Sequence, residues 1–268
     1  MPPGQQLYSL RYRSRGLQVQ AYLDVPKGKG PFPLLIYLHG GDVTQVLGHW
    51  TGLPVYTAKL AAESSNADSI VFIPNYGGYG PSEGNIGSPY DCYLDTQNGL
   101  KALGYVRGLH IKRDATYPFG FSLGGYVALK LAANDTQVRA AVLDSPWPGA
   151  LTYDDWVQKM GTDALGSDDL FFWAEQERVF GTDLRSAVYQ QNSVNFRVIH
   201  VPVLIIGGQQ DPKLPPSLMQ LLRDQLALSH VSVVLDMVSG GHAPITLHVY
   251  QLVQAWLLPL GFHLYLTS

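Results

Sequence analysis

Short apolar runs alternate with segments of helical periodicity along almost the whole chain, and this alternation restricts the possible folds most. Residues 7–12 and 19–25 alternate in polarity as strands do, and the polar stretch 13–16 between them reads as a hairpin turn. Residues 33–38, Pro-Leu-Leu-Ile-Tyr-Leu, form a continuous apolar run, the pattern of a parallel strand buried on both faces. Further strands are expected at 69–73, 116–121, 138–143, 201–206 and 231–238. Helices are expected at 55–63, 91–106, 123–133, 216–228 and 245–257. Strands separated by helices predict an α/β fold, a mostly parallel sheet covered by helices on both faces, with an antiparallel opening. The rhythm stops between 146 and 200, where Trp147, Trp156, Phe171, Phe172, Trp173 and Phe180 fall among short helical stretches. That span is too long for a loop, so a helical cap insertion at 146–200 within one domain over 1–268 is expected.

Composition removes several functional classes. The 268 residues carry a formal net charge of -3, which offers no basic footprint for nucleic acid. No run approaches the roughly 20 apolar residues of a membrane span, and residues 1–6 lack the basic and apolar regions of a signal peptide. Cys92 is the single cysteine, so no internal disulfide forms, and a cytoplasmic protein is expected. There is no Cys-x-x-Cys, no His-x-x-x-His and no Gly-Lys-Ser/Thr phosphate loop, so neither metal nor cofactor is expected.

Gly120-Phe121-Ser122-Leu123-Gly124 fits G-x-S-x-G, in which a sharp strand-to-helix turn lifts a serine hydroxyl above the sheet edge. The context agrees, since an apolar run ends at Phe121 and a helical pattern follows. Gly80-Pro81-Ser82-Glu83-Gly84 matches the same pattern, but glycine and proline occupy the place where its helix would start, so Ser82 reads as a loop residue. A serine hydroxyl needs a base to take its proton, and the base needs an acid to fix its tautomer. Asp211 follows the apolar run 203–206 and a Gly-Gly, the expected place for the acid. Asp144, at the end of the preceding strand, is the competitor. Of the eight histidines only His242 joins a glycine-rich loop to the position after the last strand, so it is the expected base. Negative charge developing on a carbonyl oxygen calls for two aimed backbone N–H groups. Leu123, directly after the serine, would give one, and Gly40 or Gly41 of His39-Gly40-Gly41 the other.

These residues, in this order, resemble the catalytic domain of the prolyl oligopeptidase family and its single-domain esterase relatives. The hairpin 8–24, Pro31-Phe32-Pro33, His39-Gly40-Gly41, Gly120 to Gly125, Asp211 and His242 carry the likeness, which covers nearly the whole chain and is weakest over 146–200. It implies the α/β-hydrolase fold, with Ser122, Asp211 and His242 as a catalytic triad acting on a small-molecule ester substrate. Peptidase or amidase action is the alternative. The N-terminal propeller of the large peptidases has no counterpart here, which favours a carboxylesterase. Residues 75–84 resemble the Asp-x-Arg-Gly-x-Gly-x-Ser-x-Gly loop of such hydrolases, but Asn75 replaces the acid and Gly77 the arginine, so the usual local ion pair is not expected. A binding protein that kept the scaffold and lost catalysis is the reading from another class.

Overall fold

A computed structural model describes residues 5–41, 68–150, 174, 177–183, 185–244 and 246–263. The expected helix at 55–63, and Trp156, Phe171, Phe172 and Trp173, lie outside the described residues. Strands β1 (Gln5–Ser14) and β2 (Leu17–Pro26) form the expected antiparallel hairpin. Strands β3 (Phe32–Leu38), β4 (Ile70–Pro74), β5 (Ile111–Phe121), β6 (Ala141–Asp144), β7 (Val203–Gly208) and β8 (Val233–Val238) follow. They join one sheet in the order β1-β2-β4-β3-β5-β6-β7-β8. β2 runs antiparallel to β1 and β4, and every pairing from β4 to β8 is parallel.

The unbroken apolar runs are explained by burial on both faces. Along β3, Leu34, Ile36 and Leu38 enter one core and Leu35 and Tyr37 the other, as the two-residue period of a strand requires. The first core is closed by helices α1 (Pro89–Leu103), α2 (Leu123–Asn134), α3 (Ala187–Asn192) and α4 (Pro216–Ala227). Val249, Val253 and Leu257 of α5 (Leu247–Leu257) close the second. Local chemistry sets the helix starts. Ser88 and Asp91 form a capping box with Pro89 in the first turn of α1, and the Thr246 hydroxyl accepts from the Val249 amide at α5. β5 begins earlier than its apolar run, because Ile111 pairs with Phe32 while Lys112, Arg113 and Asp114 face solvent.

Within 146–200 the described residues are helical in short pieces: one turn at 177–180, α3, and a 3-10 turn at Phe196–Val198. Trp147 stacks between Tyr126 of α2 (4.9 Å) and Phe180 (5.4 Å), and both Trp147 and Phe180 are buried. These two aromatics therefore act in packing. Among the described residues no helix is long and apolar enough to cross a membrane.

Candidate active site

Ser122 occupies the turn between β5 and α2 with φ 54° and ψ -122°, a conformation costing a non-glycine residue about 1–3 kcal/mol. Its backbone is held on both sides. Its amide donates to the Asp144 carbonyl (3.0 Å), and its carbonyl accepts from the Gly125 and Trp147 amides (both 2.9 Å). The flanking glycines are required by close approach. A Cβ on Gly120 would lie 2.1 Å from the Gly124 carbonyl oxygen, and one on Gly124 would lie 2.1 Å from that of Leu38. The G-x-S-x-G spacing thus follows from backbones crossing with no room for side chains.

Asp211 and His242 come from the loops after β7 and β8. The two loops are laced together, with the Gln209 and Gln210 amides donating to the Val238 and Gly240 carbonyls (2.9 Å each) and the Gly240 amide to Gln210 Oε1 (2.8 Å). His242 Nδ1 lies 2.8 Å from Asp211 Oδ2. A carboxylate only accepts, so Nδ1 carries the proton and donates, which leaves Nε2 as the lone-pair nitrogen. The Lys213 and Leu214 amides bond the other oxygen, Oδ1, at 2.8 and 3.0 Å. Burial alone would raise the Asp211 carboxyl. The bond from His242, the two amides and the charge His242 carries whenever it is protonated outweigh it and hold the group below its usual range.

Ser145, which no sequence pattern singled out, ties the histidine loop to the serine turn. Its amide donates to the Ile206 carbonyl (2.8 Å), and its hydroxyl accepts from the Ala243 amide (3.1 Å). Ser122 is anchored on the carbonyl of the residue before it, Asp144, so both loops are fastened to the carboxyl end of β6. Asp144 itself is fully buried, and His242 bonds Asp211 instead. Burial, and then the charge of Asp211, push the Asp144 carboxyl up to about 7 against the Ser145 hydroxyl.

The glycine loop after β3 is fixed by His39. Its ring is buried, 4.2 Å from Tyr76 and 5.2 Å from Tyr79 between centroids. Burial lowers its pKa to about 4 although the Gly40 carbonyl favours the charged form. Nδ1 lies 2.7 Å from that carbonyl, which only accepts, so here too Nδ1 is the donor. The Gly40 Cα faces the Ser122 turn, since a Cβ there would lie 3.2 Å from Ser122 Cβ.

The second G-x-S-x-G match proves structural. Ser82 is buried, donating to the Asn75 carbonyl (2.9 Å) and accepting from the Gln20 amide (3.1 Å). An ion pair does stand beside its loop, from other residues than the motif uses. Arg15 donates to both oxygens of fully buried Asp95 (2.9 Å each) and lies 3.2 Å from Asp91. The Gly77 amide joins Asp95 at 2.8 Å, and a Cβ on Gly77 would lie 2.8 Å from the Arg15 guanidinium. The hairpin arginine thus fills the space a side chain at 77 would need. Among the described residues no group of His, Cys, Asp or Glu could hold a metal ion.

No family model matches the chain. Among known proteins it is 27% identical over 233 residues to the uncharacterized peptidase YtmA of Bacillus subtilis, covering 85% of this chain and 82% of that one. Among solved structures it resembles the uncomplexed acylaminoacyl peptidase of Pyrococcus horikoshii at TM-score 0.68 and 16% identity, over 95% of this chain and 41% of the peptidase. The chain therefore spans about two-fifths of that enzyme's length. The esterase Pf2001 of Pyrococcus furiosus matches at TM-score 0.66 and 17% identity, over 95% of this chain and 90% of the esterase.

Proposed function

Starting from the α/β-hydrolase fold of this chain, we propose that it is a serine hydrolase cleaving carboxylic esters through an acyl-enzyme. The observation that carries the reading is the His242–Asp211 bond of 2.8 Å, in a loop fastened through Ser145 to the strand end that also anchors Ser122. Ser122 Oγ attacks the acyl carbonyl while His242 Nε2 takes its proton, and ionised Asp211 stabilises the imidazolium. His242 then gives the proton to the departing alkoxide, and a water attacks the acyl-enzyme by the same route.

Peptide geometry separates the two candidate oxyanion donors in the glycine loop. In a trans peptide the C=O and the following N–H point in opposite directions. The Gly40 carbonyl is turned to the buried His39 ring, so the Gly41 N–H is aimed the other way. Gly41 and Leu123 are accordingly our pair of donors to the oxyanion. Neutral His39 acts as a positioning residue for that peptide.

The match to the Pf2001 esterase over nine-tenths of its length supports an ester as substrate. The YtmA and acylaminoacyl peptidase likenesses supply the second reading, an amide or peptide bond. Turnover of a short p-nitrophenyl ester and of an acylated peptide anilide, by wild type and Ser122→Ala, tests both. Ester turnover that falls by several orders of magnitude in the variant is expected. Turnover of the anilide alone would shift the substrate class to amides. Ester turnover unchanged in Ser122→Ala would reject the mechanism.

A further inference from the structure

Parallel strands give this molecule two unlike ends. The triad loops leave the carboxyl ends of β5 to β8, whereas cations gather at the amino ends. Lys27 and Lys29 follow β2 into the turn against His110, and Lys112 and Arg113 open β5. Lys101 and Arg107 lie at the close of α1, and Arg139 and Arg197 precede β6 and β7. All eight are exposed, and none forms an ion pair among the described residues. Against them stand Asp68, Asp114 and Asp135, while nearby Asp224 is bound to Arg223 at 2.7 Å. Among the described residues, a chain of formal net charge -3 therefore carries a positive excess at this end.

The same end exposes apolar side chains. Tyr105, just past α1, is 90% exposed, and Leu228, just past α4, is 70% exposed. Leu258, after α5, and Val198, before β7, are exposed as well. Each belongs to a separate element, and Arg107 and Arg197 stand within two residues of Tyr105 and Val198. A protein partner's interface has a continuous apolar centre depleted of charge. Apolar side chains from separate elements among unpaired lysines and arginines suit a lipid headgroup layer, which solvates the cations and admits single side chains.

We propose that the amino-terminal end of the sheet is a docking surface for an anionic phospholipid bilayer, holding the molecule with its triad loops facing solution. The inference rests on charge and exposure, independently of the hydrolase reading. The test is sedimentation of the full chain with phosphatidylcholine vesicles, with and without phosphatidylserine. Lys112→Glu/Arg113→Glu and Tyr105→Ser/Leu228→Ser are run beside wild type, and far-UV circular dichroism reports folding. Binding confined to phosphatidylserine vesicles is expected, and it should weaken as salt cuts the screening length from about 10 Å at 0.1 M to about 3 Å at 1 M. Each reversed cation should lower partitioning about fivefold or more. The apolar double variant should lower it severalfold at unchanged charge, with the circular dichroism spectrum unchanged throughout. No binding at low salt would overturn the proposal, as would binding indifferent to the charge reversals. Loss of binding only by the charge variant, with equal attachment to heparin, would overturn the bilayer in favour of a soluble polyanion.

Discussion

In the proposed mechanism the proton leaving Ser122 goes to Nε2 of His242, because Nδ1 is already committed to Asp211. The aspartate thus sets which nitrogen is basic, a task a neutral amide performs badly. Asp211→Asn is expected to keep the fold while turnover drops by about 10⁴, the order seen when a triad histidine is held in the wrong tautomer. Steady-state kinetics with circular dichroism checks both halves. Asp144 gives a separate expectation at the residue scale. Its folded pKa of about 7 is above the ordinary carboxyl value, so the folded state keeps a proton that the unfolded chain releases. Its contribution therefore turns against folding as pH rises from about 4 and levels off above 7. Asp144→Asn, which removes the titration, should gain Tm relative to wild type at pH 8 and gain little at pH 5. A Tm difference independent of pH would contradict this account.

Arg15 shows what an element can owe to a distant residue. It stands in the β1–β2 turn and joins that hairpin to α1 through Asp95, whose side chain is fully buried while that of Arg15 is 22% exposed. Removing one member of such a pair leaves an uncompensated buried charge, so Arg15→Ala is expected to cost about 3–5 kcal/mol in urea unfolding. Arg15→Ala/Asp95→Asn should recover part of that loss, since no buried carboxylate remains. Additive losses would contradict the pairing. This bond spans 80 residues of sequence, and the glycine at 77, which pointed away from a local ion pair, gave no sign of it. The strands were legible because burial on both faces writes itself as unbroken apolar runs such as 203–206. Asp211 was legible because it follows such a run in a glycine-bearing loop, and His242 because its glycine-bearing loop follows the last strand, Val233–Val238. Ser145 left no mark, since its positive φ and its hydroxyl bond arise only where β6 meets the histidine loop. The proposed preference for Gly41 over Gly40 was equally hidden, because it depends on the direction of one carbonyl.

At the scale of the whole molecule, the parallel sheet separates chemistry from charge. Strand carboxyl ends carry the loops of Ser122, Asp211 and His242, and strand amino ends carry the unpaired cations. Changes at one end are accordingly expected to leave the other unaffected. Lys27→Glu/Lys29→Glu should keep kcat/KM for a soluble ester within a factor of about two, since surface substitutions away from special features change stability by no more than about 0.5 kcal/mol. A large loss of turnover would mean that the two ends are coupled. The proposed mechanism requires Ser122 to be an activated nucleophile. Its most direct measurement is labelling with a fluorophosphonate followed by peptide mass spectrometry of the modified site. One adduct is expected, on Ser122, formed rapidly by wild type and slowed severely in His242→Ala. An adduct on Ser82, or wild type left unlabelled while correctly folded, would contradict it.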